Sequence, residues 1–275
     1  MRKIFLPTCE KGTFASRNNT IIDGIVVHTT ATTVKRVTKI RNSEDKKYID
    51  SLIKRALDLP GIAKKQYDYL TTIYNIGTEM SDALRLCIQA AGLPRRASWH
   101  YCIGSTKTKR YNVVAIEAGK EIEQEVIDTD VIEFVSPELQ AHHIGDLGKP
   151  TNRRSIGIEN MYPPALLFKG NSENEAIAYF ENIGWPKPEM KRGPDKAKYW
   201  YTPMSEEQLL ALEDLCVELV LKFKDIYWIG SHFQFCADRI DPDPPINLAL
   251  LRKNVTARTG RELIASPKGY PKVTK

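Results

Sequence analysis

The most informative segment reads Ile21-Ile-Asp-Gly-Ile-Val-Val-His28, a run rich in β-branched residues and apolar apart from Asp23. Short runs of this composition form buried strands. The strand predicted over residues 21–27 therefore delivers His28 at its end. Ligand-binding side chains gather at the ends of strands in α/β proteins, so this segment indicates both a central sheet and a site at one edge of it.

The placement of all five histidines also indicates a site, because each of them lies beside a strand-like run or a glycine turn. They are His28, His100, His142, His143 and His232. A short strand predicted over 226–229 delivers His232, and another over 155–161 contains Glu159. Burying a carboxylate is costly unless it is paired or functional. Glu159 is therefore predicted to belong to the site.

A metal centre is the chemistry that this set favours. His28, His232 and Asp241 match a catalytic zinc site, in which three protein ligands leave a fourth position open. Pro242 restricts the backbone of Asp241 to extended values and so stiffens the aim of its carboxylate. Asp243 and Cys236 are rival third ligands on chemistry alone.

Length and composition predict a mixed α/β domain, a central sheet flanked by helices, over residues 1–265. The chain has 275 residues, of which 42% are hydrophobic, and no internal repeat. Two inserted segments are predicted, one helical over about 35–95, from apolar spacing within 45–59 and 67–91, and one irregular over 163–200. The clearest amphipathic helix spans 205–223 and starts with a capping box. Further strands are predicted over 98–104, 112–118 and 121–127. Residues 266–275 form a basic tail that need not be ordered.

The net charge and the targeting signals limit the classes of partner and the location that we expect. The formal charge of +6 is modest, and its basic clusters accompany no nucleic-acid-binding motif, so we expect no nucleic-acid partner. An apolar run long enough to span a membrane and a secretory signal are both missing, which predicts a protein made in the cytoplasm without membrane insertion. Release or delivery by another system stays open, as does the oligomeric state. The five cysteines form no CxxC pair and are interpreted as reduced thiols.

Seven motifs in this order resemble the zinc-dependent N-acetylmuramoyl-L-alanine amidases, which share their fold with peptidoglycan recognition proteins. They are Ile25-Val-Val-His-Thr-Thr-Ala31, Ser98-Trp-His-Tyr101, Ala141-His-His-Ile-Gly145, Asn152-Arg-Arg-Ser-Ile-Gly-Ile-Glu159, Tyr201-Thr-Pro with Gln208, Gly230-Ser-His232 and Arg239-Ile-Asp-Pro-Asp-Pro244. The resemblance covers most of residues 21–255, and the two inserted segments do not match it.

The resemblance implies a role for each matching residue. His28, His232 and Asp241 bind Zn²⁺, Glu159 is the catalytic acid and base, and Arg239 stabilises the oxyanion. Four side chains are expected to line the groove for peptidoglycan or muropeptide substrates: His143, Asn152, Trp99 and His100. The implied reaction is hydrolysis of the amide between N-acetylmuramic acid and L-alanine. The alternative is a peptidoglycan-binding module of the same fold that does not cleave.

Four positions depart from the family pattern. Arg239 stands where lysine is usual, Asp243 where glycine is usual, His142 where tryptophan is usual, and Trp99 where some members have a catalytic tyrosine. Arginine can hold a developing oxyanion, but it stays protonated and cannot donate a proton. We also expect the 163–200 segment to form a wall or lid of the groove, with Trp185, Tyr199 and Trp200 as its aromatic faces.

Overall fold

The computed structural model describes residues 3–5, 14–30, 37–39, 47, 79–81, 98–105, 110–117, 120–127, 131–144, 149–163, 165–236, 239–242 and 245–267. The strands are β1 Lys3–Phe5, β2 Phe14–Ser16, β3 Gly24–Thr29, β4 Val37–Lys39, β5 Glu79–Ser81, β6 Tyr101–Ile103, β7 Arg110–Glu117, β8 Lys120–Ile127, β9 Val131–Glu133, β10 Leu139–Ala141, β11 Ser155–Asn160, β12 Leu166–Leu167, β13 Glu189–Arg192, β14 Lys198–Tyr201 and β15 Trp228–Ser231. The helices are α1 Lys149–Arg154, α2 Glu173–Asn182, α3 Glu206–Lys222, α4 His232–Phe235 and α5 Leu248–Thr259.

A six-stranded mixed sheet with the order β1-β9-β6-β11-β3-β15 forms the centre of the fold. The neighbours β6, β11, β3 and β15 run parallel, and β9 is antiparallel to β6. The predicted α/β class with a mixed central sheet is confirmed. Because β3, β11 and β15 run the same way, their carboxyl ends meet at one edge.

The two faces of this sheet carry different side chains, as the two-residue period of a strand requires. On one face Ile25, Val27 and Ile158 join the main core, together with apolar residues of α3 and α5. On the other face Val26 belongs to a smaller cluster with Trp228. His28 and Glu159 lie on this second face by the same alternation. Because the apolar side chains of β3 and β11 are buried on the first face, these two polar side chains point to the opposite face.

Helix α3 confirms the amphipathic helix predicted over 205–223. Ser205 caps it and accepts a hydrogen bond from the Gln208 backbone N–H at 3.2 Å. The reciprocal half of the predicted capping box is not made, because Gln208 Nε2 donates to the Met161 carbonyl at 2.9 Å. The buried Gln208 thus ties the helix to the residues that follow β11.

The prediction of an irregular 163–200 segment is wrong. This part of the chain contains α2 and a three-stranded antiparallel sheet with the order β12-β14-β13. Trp185 and Trp200 are only 4% and 6% exposed and belong to the main core. They are therefore not the exposed aromatic faces expected of a lid, and Tyr199 donates its hydroxyl to Asp195 at 2.6 Å. That this segment forms a wall of the groove stays a prediction.

Truncating Trp185 tests whether the 163–200 segment belongs to the core. Its ring packs against Tyr162 at a centroid distance of 5.5 Å. We expect Trp185→Ala to lower the free energy of unfolding by about 3–5 kcal/mol, the usual cost of removing a buried tryptophan. Urea denaturation measures it. The control Leu210→Ala removes a side chain that is 57% exposed and should stay within about 0.5 kcal/mol. Equal stabilities of the two variants would contradict this assignment.

The insertion predicted as helical over 35–95 contains two strands. β4 and β5 pair antiparallel, with Thr38 opposite Met80, so the helix predicted over 67–91 is wrong at residues 79–81. Apolar spacing cannot distinguish a three-residue strand from a helical turn. The helix predicted over 45–59, except residue 47, and the rest of 67–91 lie outside the described residues. The strands predicted over 112–118 and 121–127 are confirmed as the hairpin of β7 and β8.

Two further observations concern the cysteines and the helices. Cys102, Cys216 and Cys236 are buried and form no disulfide among the described residues. Cys9, Cys87 and residues 268–275 of the basic tail lie outside the described ranges. Among the helices that the structure describes, none combines the length and the apolar character needed to cross a membrane.

Candidate metal centre and active site

The candidate site lies where β3, β11 and β15 end. Glu159 on β11 is in direct register with His28 on β3. His232 is the first residue of α4 and follows β15 immediately. Side chains at paired positions of neighbouring strands point to the same face. Three elements that are distant in sequence therefore bring His28, Glu159 and His232 together.

His28, His232 and Asp241 form a buried group in which each residue offers one ligand atom, all within 4.8 Å of one another. Asp241 Oδ2 lies 3.3 Å from His232 Nδ1 and 3.7 Å from His28 Nδ1. The same oxygen accepts a hydrogen bond from the Thr29 backbone N–H at 3.3 Å. The ring centroids of His28 and His232 are 4.4 Å apart.

Burial and mutual charge set the protonation of this group. Burial, with the neighbouring His232 and His143, lowers the pKa of His28 well below its ordinary value. His28 is therefore neutral, and its contact with Asp241 is not an ion pair. Burial is the largest single influence on the pKa of His232 and acts to lower it, but the hydrogen bonds and charges of Asp241 and Cys236 together outweigh burial and raise that pKa to about 9. A cation that binds there replaces this proton, because metal ligation needs the neutral imidazole.

The donor set fits zinc. Two imidazole nitrogens and one carboxylate oxygen are the standard ligands of a catalytic zinc site, and borderline metals such as zinc favour imidazole over an all-oxygen set. The rival ligand Cys236 is not in the converging group, and its Sγ donates to the Ile144 carbonyl at 3.7 Å. Asp243, the other rival, lies outside the described residues.

Glu159 is a buried carboxyl group beside these ligands, with 9% of its surface exposed. Burial and the negative charge of Asp241 raise its pKa to about 8, although His232 and Arg239 act in the opposite direction. A carboxyl group poised near neutral pH can both accept and donate a proton, which is the property that general acid–base catalysis requires.

Arg239 is exposed and lies close enough to act electrostatically on the site. Its charge lowers the pKa of both His28 and Glu159. Its backbone N–H donates to the Cys236 carbonyl at 3.2 Å. A cation at the rim of a buried site is suited to meet negative charge that develops on a substrate.

That His143, Asn152, Trp99 and His100 line a groove for the substrate stays a prediction. All four are buried, with exposures of 7%, 0%, 6% and 0%. Asn152 Oδ1 accepts from the Ile144 N–H at 3.0 Å, and Trp99 packs against Phe134 at 5.7 Å. The Asn152 side chain and the Trp99 ring therefore make these contacts inside the protein.

The His100 ring makes hydrogen bonds inside the protein through both of its nitrogens. Its Nδ1 accepts a hydrogen bond from the Gly157 N–H at 2.8 Å, and its Nε2 lies 3.0 Å from the Leu139 carbonyl. A neutral imidazole has one donor and one acceptor, and these two contacts use both. The Arg17 guanidinium also lies 2.8 Å from His100 Nε2. His100 therefore joins β11 to β10 as a structural residue.

Sequence reasoning did not single out two residues beside the site, Ser155 and Gly157. Ser155 Oγ lies 3.1 Å from His143 Nε2, and a Cβ on Gly157 would meet the His143 ring at 2.5 Å. The sequence spacing could have indicated them, because Gly157 lies two and Ser155 four residues before Glu159, and both therefore share its face of β11. What the sequence lacks is the position of His143 above that face.

This chain is similar to known proteins at the level of a family and of solved structures. The model of the N-acetylmuramoyl-L-alanine amidase family matches residues 17–244. Among solved structures, the chain is similar to the N-acetylmuramyl-L-alanine amidase AmiD from E. coli, in complex with the substrate anhydro-N-acetylmuramic acid-L-Ala-D-gamma-Glu-L-Lys, with 14% identity and a TM-score of 0.37 over 90% of this chain and 59% of that one. It is also similar to AmpDH3 from Pseudomonas aeruginosa, in complex with an anhydromuramic pentapeptide, with 15% identity and a TM-score of 0.38 over 87% of this chain and 60% of that one. The chain thus spans less than two thirds of both structures. No curated protein sequence matches it.

Proposed function

Because this chain belongs to the N-acetylmuramoyl-L-alanine amidase family, we propose that it hydrolyses the amide between N-acetylmuramic acid and the L-alanine of the stem peptide, with zinc as its cofactor. The substrate is peptidoglycan or its fragments. The observation that carries the proposal is the convergence of His28, His232 and Asp241 within 4.8 Å, with Glu159 in register beside His28.

His28, His232 and Asp241 would hold the metal, each with one ligand atom. Zinc supplies a Lewis acid that acidifies water and polarises a carbonyl oxygen. The Thr29 N–H, which donates to Asp241 Oδ2, and the cap on α4, where Ser231 Oγ accepts from the Gln234 N–H, fix the directions of the aspartate and of His232. These contacts hold the site in place before a ligand arrives.

Glu159 moves the proton in this proposal. Its carboxylate accepts a proton from the water that attacks the lactyl carbonyl carbon, and it passes that proton to the L-alanine nitrogen as the C–N bond breaks. The products are a lactyl carboxylate and a peptide with a free amino terminus. The raised pKa of Glu159, caused first by its burial, suits a group that must both take up and release the proton.

Arg239 supports the electrostatic part of the reaction. We expect Arg239→Lys to remain active, because a fixed positive charge suffices to stabilise the oxyanion. Arg239→Ala should lower turnover by roughly 10²–10³-fold, the usual loss when one oxyanion partner is removed. Turnover of the two variants at matched zinc content makes this comparison. A sharp rise in the rate of Arg239→Lys above that of wild type would instead show that a lysine proton donor is needed.

The alternative is a module that binds peptidoglycan without cleaving it. Binding alone gives no reason to keep a costly buried carboxyl group beside three metal-ligating side chains, so Glu159 favours the enzyme. Incubation of zinc-loaded protein with purified peptidoglycan separates the two. The proposal predicts that new L-alanine amino termini form and that no new reducing sugar ends form. A chelator should abolish the new amino termini. Co-sedimentation with the wall without new amino termini would support the binding module.

A further inference from the structure

A line of buried hydrogen bonds leads from His28 away from the candidate metal centre. His28 Nε2 lies 3.0 Å from His143 Nδ1, and His143 Nε2 lies 3.1 Å from Ser155 Oγ. Ser155 Oγ donates to the Thr151 carbonyl at 2.7 Å. Each of the four residues is 7% exposed or less, so water does not compete for these groups.

The direction of each bond follows from the number of protons available. Ser155 has one hydroxyl proton, and the Thr151 carbonyl can only accept it. Ser155 Oγ therefore accepts from His143 Nε2–H. His143 is only 7% exposed, and burial disfavours the charged form of an imidazole, so the ring carries one proton. With that proton on Nε2, His143 Nδ1 is an acceptor, and His28 must donate to it through Nε2–H.

This direction decides which nitrogen of His28 is free. If Nε2 carries the proton, Nδ1 keeps its lone pair and faces Asp241 Oδ2 at 3.7 Å. The Asp241 carboxylate acts against this arrangement, because a carboxylate stabilises a proton on the nitrogen that faces it. A proton on Nδ1 would occupy the lone pair that a metal ion needs. His28 thus lies between two acceptors that favour opposite tautomers.

We propose that His143 and Ser155 are positioning residues that hold His28 in its Nε2–H tautomer and so keep the Nδ1 lone pair available to a divalent metal ion. This inference rests on the proposed function, since it concerns His28 as a metal ligand. Partners of the second ring nitrogen commonly orient metal-ligating histidines. Here that partner is another neutral imidazole, itself oriented by a serine on the strand beside β3.

Gly157 explains how the His143 ring keeps its place. The ring lies directly over this residue, and a Cβ built there would come within 2.5 Å of His143 Cγ. Because real Cβ atoms do not approach that closely, any larger residue would push the ring off β11. Ser155 and Gly157 therefore both determine where the His143 ring lies, and both are on the face of β11 that also carries Glu159.

The tautomer of His28 tests the inference directly. Nitrogen-15 NMR on the full-length, zinc-free protein should show Nε2 protonated and Nδ1 unprotonated for His28. In His143→Leu, which lacks the acceptor, we expect the proton to shift toward Nδ1 and Asp241. In His143→Asn, the Oδ1 atom can accept near the position of the lost Nδ1, so the wild-type tautomer should return. A wild-type His28 protonated on Nδ1 would overturn the proposal.

Zinc affinity provides the second readout, measured by competition with a chromophoric chelator. We expect His143→Leu to weaken zinc binding by about 10- to 100-fold, and Ser155→Ala by about 10-fold, the range for losing an outer partner of a ligand. His143→Asn should recover most of this loss. The matched control is Thr202→Val, which also removes a buried hydroxyl that donates to a backbone carbonyl, that of Pro186 at 2.8 Å. It should bind zinc like wild type.

The outcomes separate this inference from the proposed function. A folded His143→Leu with wild-type zinc affinity and an unchanged His28 tautomer would overturn the inference, whatever the protein cleaves. If His143→Leu does not fold, Ser155→Ala decides the question by the same two measurements. Zinc binding and tautomers as expected, together with intact peptidoglycan after long incubation, would contradict the proposed function and leave the inference supported.

Discussion

Glu159→Gln should lower the turnover of a muropeptide by about 100-fold or more, the scale of losing a general base. Glutamine has nearly the same shape as glutamate but cannot take up and release a proton at neutral pH. Because burial raises the pKa of Glu159 and so disfavours its charge, a neutral amide should leave the fold intact. Turnover is compared at matched zinc content and matched thermal stability.

The control for this variant is Glu189→Gln, which makes the same chemical change at a carboxylate that is 59% exposed on β13. It should turn over like wild type. Near-normal turnover of Glu159→Gln, with zinc bound, would mean that Glu159 is a structural buried acid, and the proposed proton transfer would have to be abandoned.

His28→Ala and His232→Ala should each lose most of the zinc that the wild-type protein binds, which we expect to be one ion per chain. Removing one of three protein ligands leaves too few donors for a stable tetrahedral site, and both substitutions also open a cavity where a metal would lie. Elemental analysis after dialysis against a weak chelator measures the loss, and amide hydrolysis should fall with it.

Asp241→Ala separates the proposed third ligand from its rivals. We expect Asp241→Ala to lose zinc as the histidine variants do, because Asp241 Oδ2 lies 3.7 Å from His28 Nδ1 and 3.3 Å from His232 Nδ1. Cys236→Ala removes a buried side chain beside His232 and should keep the metal. The opposite pattern, with zinc retained in Asp241→Ala and lost in Cys236→Ala, would make Cys236 the third ligand.

The parts of the site that sequence reasoning found are those that local patterns determine. His28 and His232 follow short apolar runs, and Glu159 interrupts one, so each could be placed at a strand end from its neighbours alone. Parallel strands with a common edge then bring these ends together. The structure adds the register, in which Glu159 lies opposite His28.

What could not be predicted depends on contacts between distant segments. His143 has the same residue type and similar flanks as a groove histidine, yet its ring lies over Gly157 and between His28 and Ser155. These three residues are 12 or more positions away from His143 in the sequence. Similarly, Trp185 looks like an aromatic residue of a polar loop until Tyr162, which follows β11, packs against it.

The most direct test of the account is hydrolysis of a defined N-acetylmuramoyl peptide in ¹⁸O-labelled water by the zinc-loaded protein, followed by mass spectrometry. Cleavage of the amide between the lactyl group and L-alanine transfers the oxygen of water to the sugar fragment. We predict one ¹⁸O atom in the N-acetylmuramic acid product, none in a peptide that begins with L-alanine, and no products after chelation. Label in the peptide fragment, or binding of the substrate without any products, would contradict the assignment of this chain as a muramoyl-L-alanine amidase.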